Sequence, residues 1–272
     1  MTLVRDGNDN TMHERHLLCN VTTTPPPPPT GRPAARMRYS APMTTTTSVV
    51  ERLAAVQARI AEACARAGRD PAEVTLVAVS KTHHAEAVAE AIRAGATDFG
   101  ENWAQELAPK AEAVAALSLQ PRWHFIGHLQ RNKVREVLPH IVSLHSLDSL
   151  RLAEDLERRL AARGDATLEC YVEVNFADEA SKTGVPLDEA PGLITFALEQ
   201  PHLRLAGLMT VAPETHDAES LRPLFRRMRE LAHTHGLTGL SMGMSGDYNV
   251  AIEEGSTLVR VGTAIFGPRR TV

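Results

Sequence analysis

Apolar and polar positions alternate in a repeating rhythm along the chain. A short apolar run is followed by a longer amphipathic stretch, and the pair recurs. The runs are TLVAVSK (75–81), TDFGEN (97–102), WHFIG (123–127), IVSLHS (141–146), LECYVEVN (168–175), LAGLMTVA (205–212), GLSMGMS (239–245) and LVRVGTAIFG (258–267). Helix-spaced patterns lie between most of them: Glu86 to Arg93, Trp103 to Leu117, Leu150 to Leu160, Ala190 to Leu198, Leu221 to His233 and Tyr248 to Glu253. Short apolar runs bounded by turn residues read as buried strands, and apolar residues three and four apart read as helices. Strands that alternate with helices predict a parallel sheet, because parallel neighbours need a crossover. Eight strands is the number that closes a (β/α)8 TIM barrel, and residues 48–272 approach its usual length of roughly 250. The alternative, an open doubly wound sheet, more often carries G-x-G-x-x-G after its first strand. None follows Lys81.

Ahead of this pattern, Ser48-Val49-Val50-Glu51 is a capping box, and Val49, Leu53, Val56 and Ile60 recur at helical spacing until Gly68 and Asp70-Pro71. Residues 1–47 differ. TTTPPPPPTGRPAAR and TTTTS are Pro- and Thr-rich with few core-forming residues, so this segment is expected to be a disordered tail on a single-domain α/β barrel spanning 48–272. It lacks the apolar core of a signal peptide. The sequon at Asn20 therefore carries little weight, and Met37 or Met43 could be the true start.

Composition narrows the function classes. The 272 residues are 43% hydrophobic with a formal net charge of −4 and a sequence pI of about 6.3. No basic stripe argues for nucleic acid, and no run of about 18 apolar residues argues for a membrane span. Cys19, Cys64 and Cys170 form no CxxC or metal-ligand pattern. A sparse, odd set of cysteines fits a reducing, cytoplasmic location.

Barrel active sites sit at the C-terminal ends of the strands. The polar residues that close the runs are therefore expected to converge: Lys81, Asn102, His124, His128, His145, Asn175, Thr210, Ser241, Ser245, Arg260 and Thr263. This set holds no carboxylate pair and no metal-ligand cluster. Lys81 could simply reach solvent from its strand end. A free lysine, with pKa near 10.4, is mostly protonated at neutral pH, but a low-dielectric barrel mouth and a nearby arginine favour the neutral amine and hence Schiff-base chemistry. SMGMSGD and RVGTAIFG close the last two runs. Their glycines read either as tight turns or as a phosphate cradle, and two such segments at the two expected barrel positions favour phosphate. An amine and a phosphate cradle together suggest an aldehyde-bearing phosphate such as pyridoxal 5′-phosphate. Arg260 could then face the pyridine nitrogen, where it would weaken the ring as an electron sink, or help the phosphate.

AVSKTH, FGENWAQE, WHFIGHLQRNK, HSLDSLRLAEDL, VEVNFADEASKTGV, LAGLMTVAP, LSMGMSGDYNVAI and GSTLVRVGTAIFGPR, in that order, resemble the pyridoxal phosphate homeostasis protein family over about residues 48–270. The resemblance implies a barrel like the N-terminal domain of alanine racemase, with the cofactor held by Lys81 as an internal aldimine. It implies Asn102 beside the ring, Arg260 near the ring nitrogen, and Ser241, Gly262 and Thr263 at the phosphate. Lys182 matches a second lysine implicated in cofactor handling. Gly246 and Tyr248 depart from residues common in relatives.

Two function classes follow. One is a carrier that holds pyridoxal phosphate and hands it to apo-enzymes; the other is an amino-acid racemase. Racemases of this type resemble a longer chain whose second domain supplies a tyrosine, whereas this sequence stops soon after the eighth run. Tyr39 falls in the tail and Tyr171 at the wrong end of its strand, which leaves Tyr248, after the SMGMSGD segment, as the one candidate acid/base. The expectation is therefore a cytoplasmic, monomeric carrier without catalysis. A class I aldolase ranks last. His83 and His84 are expected to flank the helix after Lys81, His216, His233 and His235 to be solvated, and the charges of HLQRNKVRE to form a solvated helix face.

Overall fold

The structure, a computed structural model, describes residues 48–164, 166–176 and 183–268. The tail at 1–47 and Lys182 lie outside the described residues. The capping box forms as its spacing predicts. Ser48 Oγ accepts from the Glu51 N–H at 3.2 Å, and a Glu51 carboxylate oxygen accepts from the Ser48 N–H at 2.8 Å. Helix α1 (Val49–Ala67) buries Leu53, Val56 and Ile60 and stops at Gly68, which takes the left-handed conformation at φ 65°.

Eight strands, one from each apolar run, form the ring: β1 (Thr75–Val79), β2 (Asp98–Glu101), β3 (Arg122–Phe125), β4 (Ser143–Leu147), β5 (Leu168–Asn175), β7 (Leu203–Met209), β8 (Gly239–Ser241) and β9 (Leu258–Val261). Each pairs in parallel with its neighbours, β4 joins β5, β5 joins β7, and β9 returns to β1, which closes the barrel. A two-residue strand, β6 (Val185–Pro186), pairs with β5 in addition. The strands are shorter than several runs because the last residues of those runs turn into the loops. In the seventh run only Gly239–Ser241 is strand, and Met242 to Ser245 are loop.

The connecting helices are α2 (Ala85–Arg93), α3 (Ala104–Ala116), α4 (Val134–Val137), α5 (Leu150–Ala161), α6 (Ala190–Glu199), α7 (Arg222–Thr234), α8 (Tyr248–Glu253) and α9 (Thr263–Phe266). HLQRNKVRE supplies only a turn at Arg131–Lys133 and the short α4. Its Val134 and Val137 are buried, and Arg131 and Arg135 are exposed.

Period-two alternation divides each strand between two cores. Ala78, Phe99, Leu144, Val172, Leu208 and Val259 point outward into the layer between sheet and helices. Val77, Tyr171, Met209 and Leu258 pack together in a separate cluster within the ring. The inward positions that remain are largely polar, and they build the site.

Candidate functional site

A cavity of about 660 Å³ opens at the C-terminal ends of the strands. Lys81, Asn102, Ser245, Arg260, Gly262 and Thr263 contribute to its lining, together with Val79, Ile126 and the loop residues Glu214 and His216. Most of the run-end residues thus separate into two sets, with His128 and Asn175 in neither. Those just named face the cavity. His124, His145, Thr210 and Ser241 are buried and line no part of it.

Lys81 follows β1 in a bend that the neighbouring elements clamp. The Ser80 N–H bonds Gly100 O at 3.1 Å, and the Ser80 hydroxyl donates to Glu101 Oε1 at 2.6 Å. Lys110, from α3, donates to Ser80 O at 2.8 Å and to Glu101 Oε1 at 2.6 Å. On the other side of Lys81, the Thr82 N–H donates to Glu106 Oε2 at 2.9 Å. Thr82 sits at φ 66°, a left-handed conformation that is strained for a β-branched residue and is held only where the surroundings over-determine it. Burial pushes the Glu101 carboxyl up, against the pull of Lys110 and Ser80.

Asn102 is placed by a close backbone approach. A Cβ on Gly127 would lie 2.1 Å from Asn102 O, so only glycine lets β3's loop pass there, and the Ser146 hydroxyl fixes Gly127 O at 2.6 Å. Asn102 Oδ1 is buried with no hydrogen-bond partner among the described residues. A buried amide oxygen without a partner is costly, which marks it as an acceptor left for something else. Gly262 is similarly confined. Its Cβ would stand 3.1 Å from Val79 O, at the rim of the same cavity.

Arg260 reaches the cavity from β9 and is 4% exposed. Its Nη1 donates to Ser241 O and to Ser241 Oγ, both at 2.6 Å, and Nη2 donates to Thr210 O at 2.8 Å. Burial pulls its pKa down to about 10, opposed by the more distant carboxylates of Glu173 and Asp247. It remains a cation at neutral pH. Behind Ser241 the bonding continues. Ser241 Oγ lies 2.8 Å from His145 Nδ1, His145 Nε2 lies 3.0 Å from His124 Nδ1, and His124 Nε2 lies 2.8 Å from Asp98 Oδ1. Burial, with His124 and Arg260 adding to it, holds the His145 pKa well below the ordinary histidine range.

The remaining candidates fall elsewhere. His128 pairs with Asp148 at 2.7 Å and lines a smaller cavity with Asn102 and Trp103. The expectation that His124 and His128 border the main cavity fails, because one faces the barrel interior and the other an adjoining groove. His216, expected to be solvated, is exposed but borders the cavity. Tyr248 turns into the core, 2% exposed, and its hydroxyl has no partner among the described residues. Tyr171 packs on His145 within the ring, with 4.7 Å between ring centroids. Neither tyrosine lines the cavity. Glu101, Glu106, Lys110 and Asp98 were not singled out from the sequence. Asp98 and Glu101 lie within the run TDFGEN and Glu106 and Lys110 within the helix-spaced stretch after it, where no local pattern marks a charge as part of a site. No group of three or more His, Cys, Asp or Glu side chains is gathered for a metal ion among the described residues. None of their helices is long and apolar enough to cross a membrane.

The family model for the alanine racemase N-terminal domain matches residues 52–270. The pyridoxal phosphate homeostasis protein of Pseudomonas aeruginosa is 46% identical over 224 residues, which cover 82% of this chain and 96% of that one. Its counterpart from Escherichia coli (strain K12) is 43% identical over 232 residues, covering 81% and 97%. The chain belongs to the pyridoxal phosphate homeostasis protein family. A solved family member, PipY of Synechococcus elongatus PCC7942 with PLP bound, superposes with a TM-score of 0.70 at 35% identity, covering 81% of this chain and all (100%) of that one. Alanine racemase from Corynebacterium glutamicum shares the fold, with a TM-score of 0.57 at 20% identity over 81% of this chain and 62% of its own. Of the residues that the family resemblance implies, Lys81, Asn102, Arg260, Gly262 and Thr263 border the cavity, and Ser241 stands one layer further in.

Proposed function

We propose that this cavity binds pyridoxal 5′-phosphate and that the chain serves homeostasis and delivery of the cofactor without catalysing a reaction of its own. The observation that carries the reading is the gathering of one amine, one buried arginine and two small-residue segments around a single cavity of about 660 Å³. That volume suits a small ring-bearing ligand. The residues fit this group. Asn102 Oδ1 is an acceptor without a partner among the described residues, and Arg260 borders the cavity with donors left to offer.

In this reading Lys81 is the attachment point for the aldehyde carbon, and its clamped bend holds it in place. Asn102 lies beside the ring. Gly262 and Thr263, with Ser245 and Gly246, surround the phosphate. Arg260 meets the ring nitrogen. When bound, pyridoxal phosphate supplies an aldehyde that condenses reversibly with amines and a ring that can accept electrons. Arg260 has only donors to offer and keeps its proton, so it favours an unprotonated ring nitrogen and a weak electron sink. No tyrosine among the described residues borders the cavity to move a proton on the second face. These features support a holder of the cofactor over a racemase. We further propose that it acts in the cytoplasm as a monomer and hands the cofactor to apo-enzymes. Its two described cysteines, Cys64 and Cys170, are buried free thiols, which suits a reducing compartment.

The test is an absorbance spectrum of the purified protein with added pyridoxal phosphate, for wild type and Lys81→Ala, followed by incubation with L- or D-alanine. A band near the visible edge in wild type, absent from the variant, with alanine chirality unchanged, is the expected result. Racemisation above the rate of free cofactor would make the protein an enzyme. No band in either protein would remove the cofactor and return Lys81 to a strand-end lysine.

A further inference from the structure

Three of the five Arg260 N–H donors are taken by the protein. Both Nη1 hydrogens go to Ser241, one to its carbonyl and one to its hydroxyl oxygen. Ser241 Oγ is therefore an acceptor toward Arg260, and its own hydrogen must go elsewhere. The acceptor it meets is His145 Nδ1, at 2.8 Å. His145 then carries its hydrogen on Nε2, which donates to His124 Nδ1 at 3.0 Å. His124 in turn carries its hydrogen on Nε2, which donates to Asp98 Oδ1 at 2.8 Å. Once the Ser241 hydroxyl gives its hydrogen to His145, each later assignment follows from the one before it. The carboxylate is held ionised, because the bonds from His124 and Thr97 and the charge of Arg122 outweigh the penalty of its burial.

The result is a chain with one direction. Every hydrogen between Ser241 and Asp98 points away from Arg260. The members are 0–5% exposed, so water does not compete for their bonds. The oxygens that bond Arg260 all belong to neutral groups, and neither Glu173 nor Asp247 bonds it among the described residues. A carboxylate in their place would take donors in pairs. Here two donors remain for the cavity that Arg260 borders.

We propose that Asp98, His124 and His145 are positioning residues that lock the Ser241 hydroxyl as an acceptor for Arg260, so that Ser241 serves the ring-nitrogen contact and not the phosphate. This rests on the cofactor reading proposed above and deepens it. A guanidinium held in this way offers hydrogen bonds to a ring nitrogen, and the chain behind it has no proton to pass toward that nitrogen. The floor of the site then favours holding the cofactor over carbanion chemistry.

Two measurements test it. The first is nitrogen-15 NMR of the cofactor-free wild-type protein with labelled imidazoles. Between about pH 6 and about pH 8, where an ordinary histidine titrates, His145 is expected to stay neutral with the hydrogen on Nε2. A hydrogen on His145 Nδ1, or a doubly protonated His145, overturns the chain. The second compares the affinities for pyridoxal phosphate and for pyridoxal, which lacks the phosphate. Ser241→Ala is expected to weaken both by the same factor, on the order of tenfold, the worth of one hydrogen bond to a charged group. Thr263→Ala is expected to weaken the phosphorylated ligand alone. A Ser241→Ala loss confined to the phosphorylated ligand makes Ser241 a phosphate contact and overturns the proposal. If wild type takes up neither ligand, the cofactor reading fails and the ring contact with it, while the tautomers still decide the chain.

Discussion

Lys81 and Arg260 reach one cavity from neighbouring strands, β1 and β9, and are held by unlike means. Around Lys81 the support is ionic. A buried Glu101–Lys110 pair at 2.6 Å, with Glu106 beside it, grips the main chain on either side of the lysine. Around Arg260 the support is a set of neutral acceptors that grips the side chain itself. The difference suits the roles proposed for the two groups. In the proposed reading Lys81 needs a fixed backbone origin, and the charges nearby supply that through the main chain. A guanidinium that must keep donors available needs acceptors that take one hydrogen each, and carboxylates would take more.

The largest expected effect comes from breaking the ionic support. Lys110→Met leaves Glu101 buried without its cation, and such a loss costs about 3–5 kcal/mol. Urea denaturation would read it directly. The double variant Lys110→Met with Glu101→Leu should recover most of the loss, because an apolar pair of similar size has no charge to strand. A single-variant loss below about 1 kcal/mol would put this pair with exposed ion pairs such as Arg66–Glu253, and the contrast between the two supports would lose one side.

A smaller effect is expected where the Lys81 side depends on close approach. Gly127→Ala drives a methyl into Asn102 O, so the loop or the asparagine must move. Overpacking of this kind costs about 1–3 kcal/mol. On the proposed function, cofactor binding should weaken as well, since Asn102 would shift in the cavity that it lines. Unchanged stability and unchanged absorbance titration would show that the Asn102 position matters to neither.

The sequence made the barrel legible because eight apolar runs separated by helix-spaced stretches have few other ways to bury themselves. Lys81, Asn102, Arg260 and Thr263 were legible for a related reason. They close runs, and run ends meet at one face of a barrel. That rule cannot tell one layer of the interior from the next. His145 and Ser241 close runs too, but they sit one layer inward and bond each other across 96 residues of sequence. Only the closed ring sets that distance. Lys110 lies in the helix-spaced stretch Trp103 to Leu117 and its partner Glu101 in the run TDFGEN, and neither stood out as part of a site. Their burial depends on how α3 packs over the end of β1, which no local pattern encodes. Tyr248, the one tyrosine kept as a candidate acid/base, is settled by the same packing. It follows the SMGMSGD segment in sequence, and the first turn of α8 carries it into the outer core.

The smallest expected effect tests the neutral side through pH. His145 has a depressed pKa when folded, caused first by burial and then by His124 and Arg260, against an ordinary value of 6.5 when unfolded. Above pH 6.5 the ring is neutral in both states, and the stability it contributes is fully present. Below that, the unfolded chain binds a proton that the folded chain refuses, so stability falls by up to about 1.4 kcal/mol per pH unit on this account alone. Asp98 adds its own loss only near and below its ordinary 3.8, so the two windows separate. Other histidines contribute to the raw slope, and the useful quantity is the difference between wild type and His145→Gln, which cannot take the proton. Urea midpoints at pH steps from 7 down to about 4.5 should show the variant losing stability more gradually than wild type. Parallel slopes would mean that His145 accepts a proton inside the barrel. Arg260 would then stand near a second cation, and the directional chain could not be what holds it.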